Sequence, residues 1–91
     1  MKVRRHFYFS GMVQGVGFRF RARYLADGLG LTGWVANLWD SRVEMEVQGE
    51  NASIARMLTL LRDSHFIHIT DIEAKDLPLS EEERGFRVIG Y

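Results

Sequence analysis

Residues 42–49, RVEMEVQG, constrain the chain more tightly than any other stretch. Val43, Met45 and Val47 alternate with Arg42, Glu44, Glu46 and Gln48. In an extended backbone that alternation makes one apolar face and one polar face. Such a strand fits a sheet that packs one face on a core and keeps the other wet, as antiparallel sheets do. Its first partner is close at hand. Residues 32–38, TGWVANL, read as a strand, and the gap Trp39-Asp40-Ser41 is short enough only for a hairpin.

The flanks supply the other layer. Phe18, Ala22, Leu25 and Leu29 recur at steps of four, three and four, an amphipathic helix closed by Gly28 and Gly30. A second helix, capped by Asn51, carries Ile54, Met57, Leu58 and Leu61 on one stripe. Residues 3–10, VRRHFYFS, form a strand with Val3, Phe7 and Phe9 in one phase and His6 and Tyr8 in the other. Residues 66–74, FIHITDIEA, form another whose phase is muddled between Ile67/Ile69 and Ile72, and FRVIG at 86–90 allows a short fifth. Strand, helix, strand, strand, helix, strand is the split βαβ order. The expected fold is therefore α+β and ferredoxin-like, an antiparallel sheet with two helices on one face.

Ninety-one residues predict one domain, spanning 1–91. With no cysteine, disulfides, thiolate nucleophiles and Cys-ligated metals are excluded. Twelve acidic and twelve basic side chains cancel, so bulk charge predicts no partner, nucleic acid included. The first fifteen residues lack the small-residue cleavage pattern of a secretory signal, and no apolar run approaches the ~20 residues of a membrane span. A cytoplasmic, soluble monomer is expected. Residues 76–85, DLPLSEEERG, read as an exposed loop in which Glu81, Glu82 and Glu83 are solvated.

One feature breaks a local rule. A helix N-terminus carries about half a positive charge and favours acids. The first helix instead opens with Arg19, Arg21 and Arg23, and its only acid, Asp27, lies near the far end. Each misplaced charge costs about 0.3–1 kcal/mol at an exposed site. Upstream are Gly11, Gly15 and Gly17. An anion would resolve the conflict: the dipole and the free first-turn N–H groups point at it, and glycines let loop amides curl into a nest. Arg19, directly after the loop, is placed to bind phosphate oxygens through two parallel hydrogen bonds. An ordinary Gly-rich turn followed by good helix formers remains open on composition alone. The stretch has neither G-x-x-x-x-G-K-[ST] nor G-x-G-x-x-G, which argues against an ATPase or a dinucleotide-binding domain. Asn37 near a strand end is the second anomaly, since asparagine suits strands poorly. It either starts the hairpin turn or holds a water through its carboxamide.

Residues 11–19, GMVQGVGFR, followed by GWVANLWDSRVE at 33–44, resemble the acylphosphatase family. The first segment matches its G-x-V-Q-G-V-x-F-R motif throughout. The second matches G-[aromatic]-V-x-N, then a short turn, and the likeness extends over nearly the whole chain. The resemblance implies hydrolysis of carboxylic–phosphoric mixed anhydrides to carboxylate and phosphate, with no metal, no cofactor and no covalent intermediate. It places the family's arginine on Arg19 and its asparagine on Asn37. Amides of Gln14, Gly15, Val16, Gly17 and Phe18 would hold the phosphoryl oxygens, and Asn37 would orient the attacking water. The expected ligands are a small acyl phosphate, and phosphate or sulfate as bound anion. One departure stands out: Ser41 occupies the place of the usual glycine after the turn, and Asp40 is expected to take the left-handed position in its stead.

Other residues suggest less. His6, His65 and His68 lack a third-ligand pattern for a metal. Trp34 and Trp39 read as packing or surface residues, and Arg21 as solvent-exposed. The competing function is a non-catalytic module binding a phosphorylated ligand or RNA. Against it, the chain lacks the K/R-G-F/Y-G/A-F pattern of RNA-binding sheets.

Overall fold

The computed structural model describes residues 1–90. Its elements are β1 (Lys2–Met12), α1 (Phe18–Leu29), β2 (Thr32–Asn37), β3 (Val43–Glu50), α2 (Asn51–Arg62), β4 (His68–Leu77) and β5 (Phe86–Ile89). The sheet order is β4-β1-β3-β2-β5. The first four strands pair antiparallel, as the ferredoxin-like arrangement requires, while β5 joins the edge parallel to β2. The fifth strand therefore exists, and it makes the sheet mixed.

Alternation along the strands decides which face is dry. Phe7, Phe9, Val35, Val43, Met45 and Val47 are buried beneath Phe18, Ala22, Leu25 and Ala26 of α1 and Ile54, Met57 and Leu61 of α2. Burying each large side chain contributes roughly 1.5–3 kcal/mol, which is what holds the helices on the sheet. The opposite face carries His6, Tyr8, Trp34, Glu44 and Glu46, none of them fully buried.

Several boundaries differ from expectation, each for a local reason. β1 runs on through Met12, so Gly11 belongs to the sheet and not to the loop. There Gly11 sits at φ 119, and a side chain would collide with the His68 carbonyl oxygen. The register shifts between Ser10 and Gly11: Ser10 faces Asp71 and Gly11 faces Ile69. The bulge leaves Thr70 without a cross-strand partner and switches the phase of β4. Ile69 and Ile72 consequently both reach the core, which accounts for the muddled phase in the sequence. Gly28 lies inside the last turn of α1, and Gly30 alone, at φ 70, is its left-handed cap. Asn51 is the first residue of α2, not its cap; Glu50 holds that place in extended geometry, and the Asn51 amide donates to the Met1 carbonyl. At the β2–β3 turn Ser41, not Asp40, adopts positive φ, at 75°. Asp40 contributes through its side chain, which accepts from the Arg42 amide (3.2 Å) and from Arg42 Nε (2.8 Å).

The 78–85 loop is not simply solvated. Glu83 meets Arg4 through two bonds of 2.8 and 3.1 Å, and Arg4, 7% exposed, also donates to Glu46. The Ser80 amide and carbonyl both bond the buried Gln48 side chain. The loop thereby covers one end of the otherwise wet sheet face. Burial pushes the Glu83 carboxyl up, but the Arg4 hydrogen bonds, a Thr32 hydrogen bond and the charges of Arg4 and Arg87 together outweigh it and hold the group below the usual glutamate range.

Candidate active site

Strand direction brings the two anomalous sequence features together. Phe9 of β1 and Asn37 of β2 both stand opposite Val43 of β3. Ala36 is level with Ile89 of the parallel strand β5. The C-terminal ends of β1, β2 and β5 thus meet at one end of the sheet, where the 13–17 loop crosses from β1 into α1.

In that loop Gly15 and Gly17 take positive φ, 74° and 81°, on either side of Val16. Alternate left-handed positions curl successive amides inward, a geometry available to glycine at little cost. Among the described residues, no backbone amide from Gln14 to Gly17 donates to another backbone carbonyl. Gly17 is the residue before α1, which has no side-chain cap and no acid in its first turn. Among the described residues, the positive end of the helix is therefore met by no acid of its own first turn and by no capping side chain.

A hollow of about 190 Å³ lies at this point, bounded by Gly15, Gly17, Phe18, Arg19 and Asn37, with Val13 as its floor and Phe20 at its rim. The structure thus unites five of the seven residues singled out from sequence. Val16 instead packs against the core. The Gln14 side chain turns the other way, and its role was not read from sequence. Gln14 Nε2 donates to the Leu38 carbonyl at 2.7 Å and to the Arg42 carbonyl at 2.9 Å. Those two carbonyls flank the β2–β3 turn, so one carboxamide ties the loop to the hairpin that carries Asn37. A glutamine within a Gly-rich loop, with a carboxamide long enough to leave it, was the only signal available.

Arg19 Nη1 donates to the Ile89 carbonyl at 3.1 Å. That bond anchors the side chain between α1 and the end of β5. The other two arginines turn elsewhere. Arg23 lies 3.8 Å from Asp27 on the solvent face, and Arg21 is exposed beside Tyr24. A larger hollow of about 420 Å³ occupies the far face of the sheet, but Glu46 and Glu73 line it together with His6 and Lys75, a poor setting for an anion. His6 there lies between Glu46 (2.9 Å) and Glu44 (2.8 Å). Among the described residues no three His, Asp or Glu side chains are grouped to hold a metal ion. Neither helix is long and apolar enough to cross a membrane.

The acylphosphatase family model matches residues 5–88. An acylphosphatase of Clostridium perfringens is 44% identical over 85 residues, covering 92% of this chain and 96% of that protein. The crystal structure of the Bacillus subtilis acylphosphatase matches with a TM-score of 0.88 at 31% identity, over 99% of this chain and 100% of that one. An acylphosphatase structure from Coxiella burnetii matches with a TM-score of 0.85 at 33% identity, over 96% and 92% of the two chains. With sequence and fold in agreement over nearly its full length, the chain belongs to the acylphosphatase family, enzymes that hydrolyse acyl phosphates.

Proposed function

We propose that the hollow between the 13–17 loop and Asn37 binds the phosphoryl group of an acyl phosphate and directs a water molecule at its phosphorus. The observation that carries this reading is that Arg19, from the start of α1, and Asn37, from the end of β2, bound one small hollow with Gly15 and Gly17. Loop amides from Gln14 to Phe18 and the Arg19 guanidinium hold the non-bridging oxygens, whose charge grows as the reaction proceeds. Asn37, both donor and acceptor, orients the water. Its oxygen forms the new bond to phosphorus as the bond to the acyl oxygen breaks. The electron pair of that bond leaves with the carboxylate, and the water's proton passes to a phosphoryl oxygen. Positioning and charge stabilisation suffice for phosphoryl transfer when the leaving group is already good. The reaction then needs no metal and no covalent enzyme intermediate.

Steady-state hydrolysis of benzoyl phosphate, with inorganic phosphate as competitive inhibitor, tests the assignment. Arg19→Ala is expected to reduce turnover at least a thousandfold and to weaken phosphate inhibition, as loss of a charged transition-state contact does. Asn37→Ala is expected to cut kcat by about a hundredfold or more while phosphate inhibition stays within about twofold, because the side chain serves the water and not the anion. Full turnover by the Asn37 variant would remove its role.

A further inference from the structure

Trp39 is the most exposed large hydrophobic side chain among the described residues, at 96%. It contributes almost nothing to the packed core, and the turn that bears it is held by Asp40, Arg42 and Gln14. Isolated exposed apolar residues are ordinary, but this one is not isolated. It stands on the rim of a second hollow, about 390 Å³, whose other apolar walls are Leu38 and Ile89, itself 42% exposed. Arg19 and Asn37 line this hollow as well as the smaller one. The two spaces therefore meet at the side chains assigned to the reacting phosphorus.

Volume and chemistry divide the substrate between them. The smaller space, with its glycines and helix start, suits a phosphoryl group. Among the described residues, the larger one offers an indole face and two aliphatic side chains beside the Gln14 and Asn37 carboxamides, with no carboxylate and no basic group besides Arg19. Small-molecule sites set fixed polar groups beside apolar walls, and here the apolar walls lie on the side away from the glycine loop. We propose that Trp39, with Leu38 and Ile89, seats the acyl half of the substrate and selects aromatic or bulky apolar acyl groups over small or charged ones. The proposal rests on the hydrolase reading above and adds a substrate class to it.

The test compares kcat/KM for benzoyl phosphate and acetyl phosphate in wild type, Trp39→Ala and Trp39→Phe. Wild type is expected to favour the benzoyl substrate, Trp39→Ala to lower the benzoyl-to-acetyl ratio by about tenfold, equivalent to about 1.4 kcal/mol, and Trp39→Phe to restore it to within about threefold. A ratio unmoved by Trp39→Ala overturns the subsite. A second measurement is independent of turnover. In a Trp34→Phe background Trp39 is the sole tryptophan, and its emission is expected to change on addition of benzylphosphonate and not of methylphosphonate. Equal responses to both, or none to either, overturn the proposal. Wild-type protein that hydrolyses neither substrate yet shows the benzyl-specific change would instead defeat the hydrolase reading and keep the subsite.

Discussion

At the scale of single residues, two side chains sit where chemistry conflicts with local structural preference. Arg19 at the wrong end of a helix and Asn37 at a strand end stand out because neither residue type is helped by its backbone setting. Both line the hollow. Conformation was harder to read than chemistry. Asp40 and Ser41 both tolerate a turn, and nothing in their order reveals that Asp40 is held by the Arg42 amide and guanidinium, passing the left-handed position to Ser41 at φ 75. A left-handed conformation costs a residue with a Cβ roughly 1–2 kcal/mol, part of which glycine returns through its more mobile unfolded chain. Ser41→Gly is therefore expected to raise stability by up to about 1 kcal/mol, visible as a higher urea midpoint at an unchanged slope. A loss of stability would mean that the serine is not strained.

At the scale of elements, periodicity found every strand and helix, but not where each one ends. β1 outruns its expected limit because Gly11 accommodates a bulge against β4, and a bulge is a property of two strands that neither displays alone. The same blindness hid the tie between loop and hairpin. Gln14 spans from one to the other only once the sheet has brought residues 38 and 42 beside it. Gln14→Ala keeps the backbone amide and removes the tie. The Leu38 and Arg42 carbonyls keep their bonds from the Ser41 and Leu38 amides, so the stability cost should be modest, about 1–2 kcal/mol. Activity should suffer more. With Asn37 no longer held against the loop, kcat is expected to fall about ten- to a hundredfold with little change in phosphate inhibition. Parallel losses in kcat and phosphate affinity would show that Gln14 serves the anion seat instead.

At the scale of the whole molecule, the least legible feature was the clamp on the outer sheet face. Arg4 and Glu83 are 79 positions apart, and a run of three glutamates gives no hint that the third is nearly buried. Because Arg4, aided by Thr32 and Arg87, overcomes the effect of burial and holds the Glu83 carboxyl below its ordinary value near 4.5, the folded protein binds that proton less readily than the unfolded chain does. The stabilisation is therefore complete above about pH 4.5 and is lost as pH falls through the lower folded value. Glu83→Gln is expected to cost about 1–3 kcal/mol at pH 7, and denaturation curves should show the gap to wild type closing below about pH 4. A gap that is constant with pH would dissociate the clamp from its charge.

The place of β1 inside the sheet, between β4 and β3, has a consequence for how the chain becomes folded. Every residue it pairs with lies far downstream, from 34 positions (Phe9 with Val43) to 73 (Arg4 with Leu77). Closing such long loops must precede any gain from pairing, which assigns the protein to the slower folders of its size. On the ribosome, Phe7 and Phe9 must wait uncovered until the hairpin strand has emerged, and that interval is when a nascent chain of this kind is most open to aggregation.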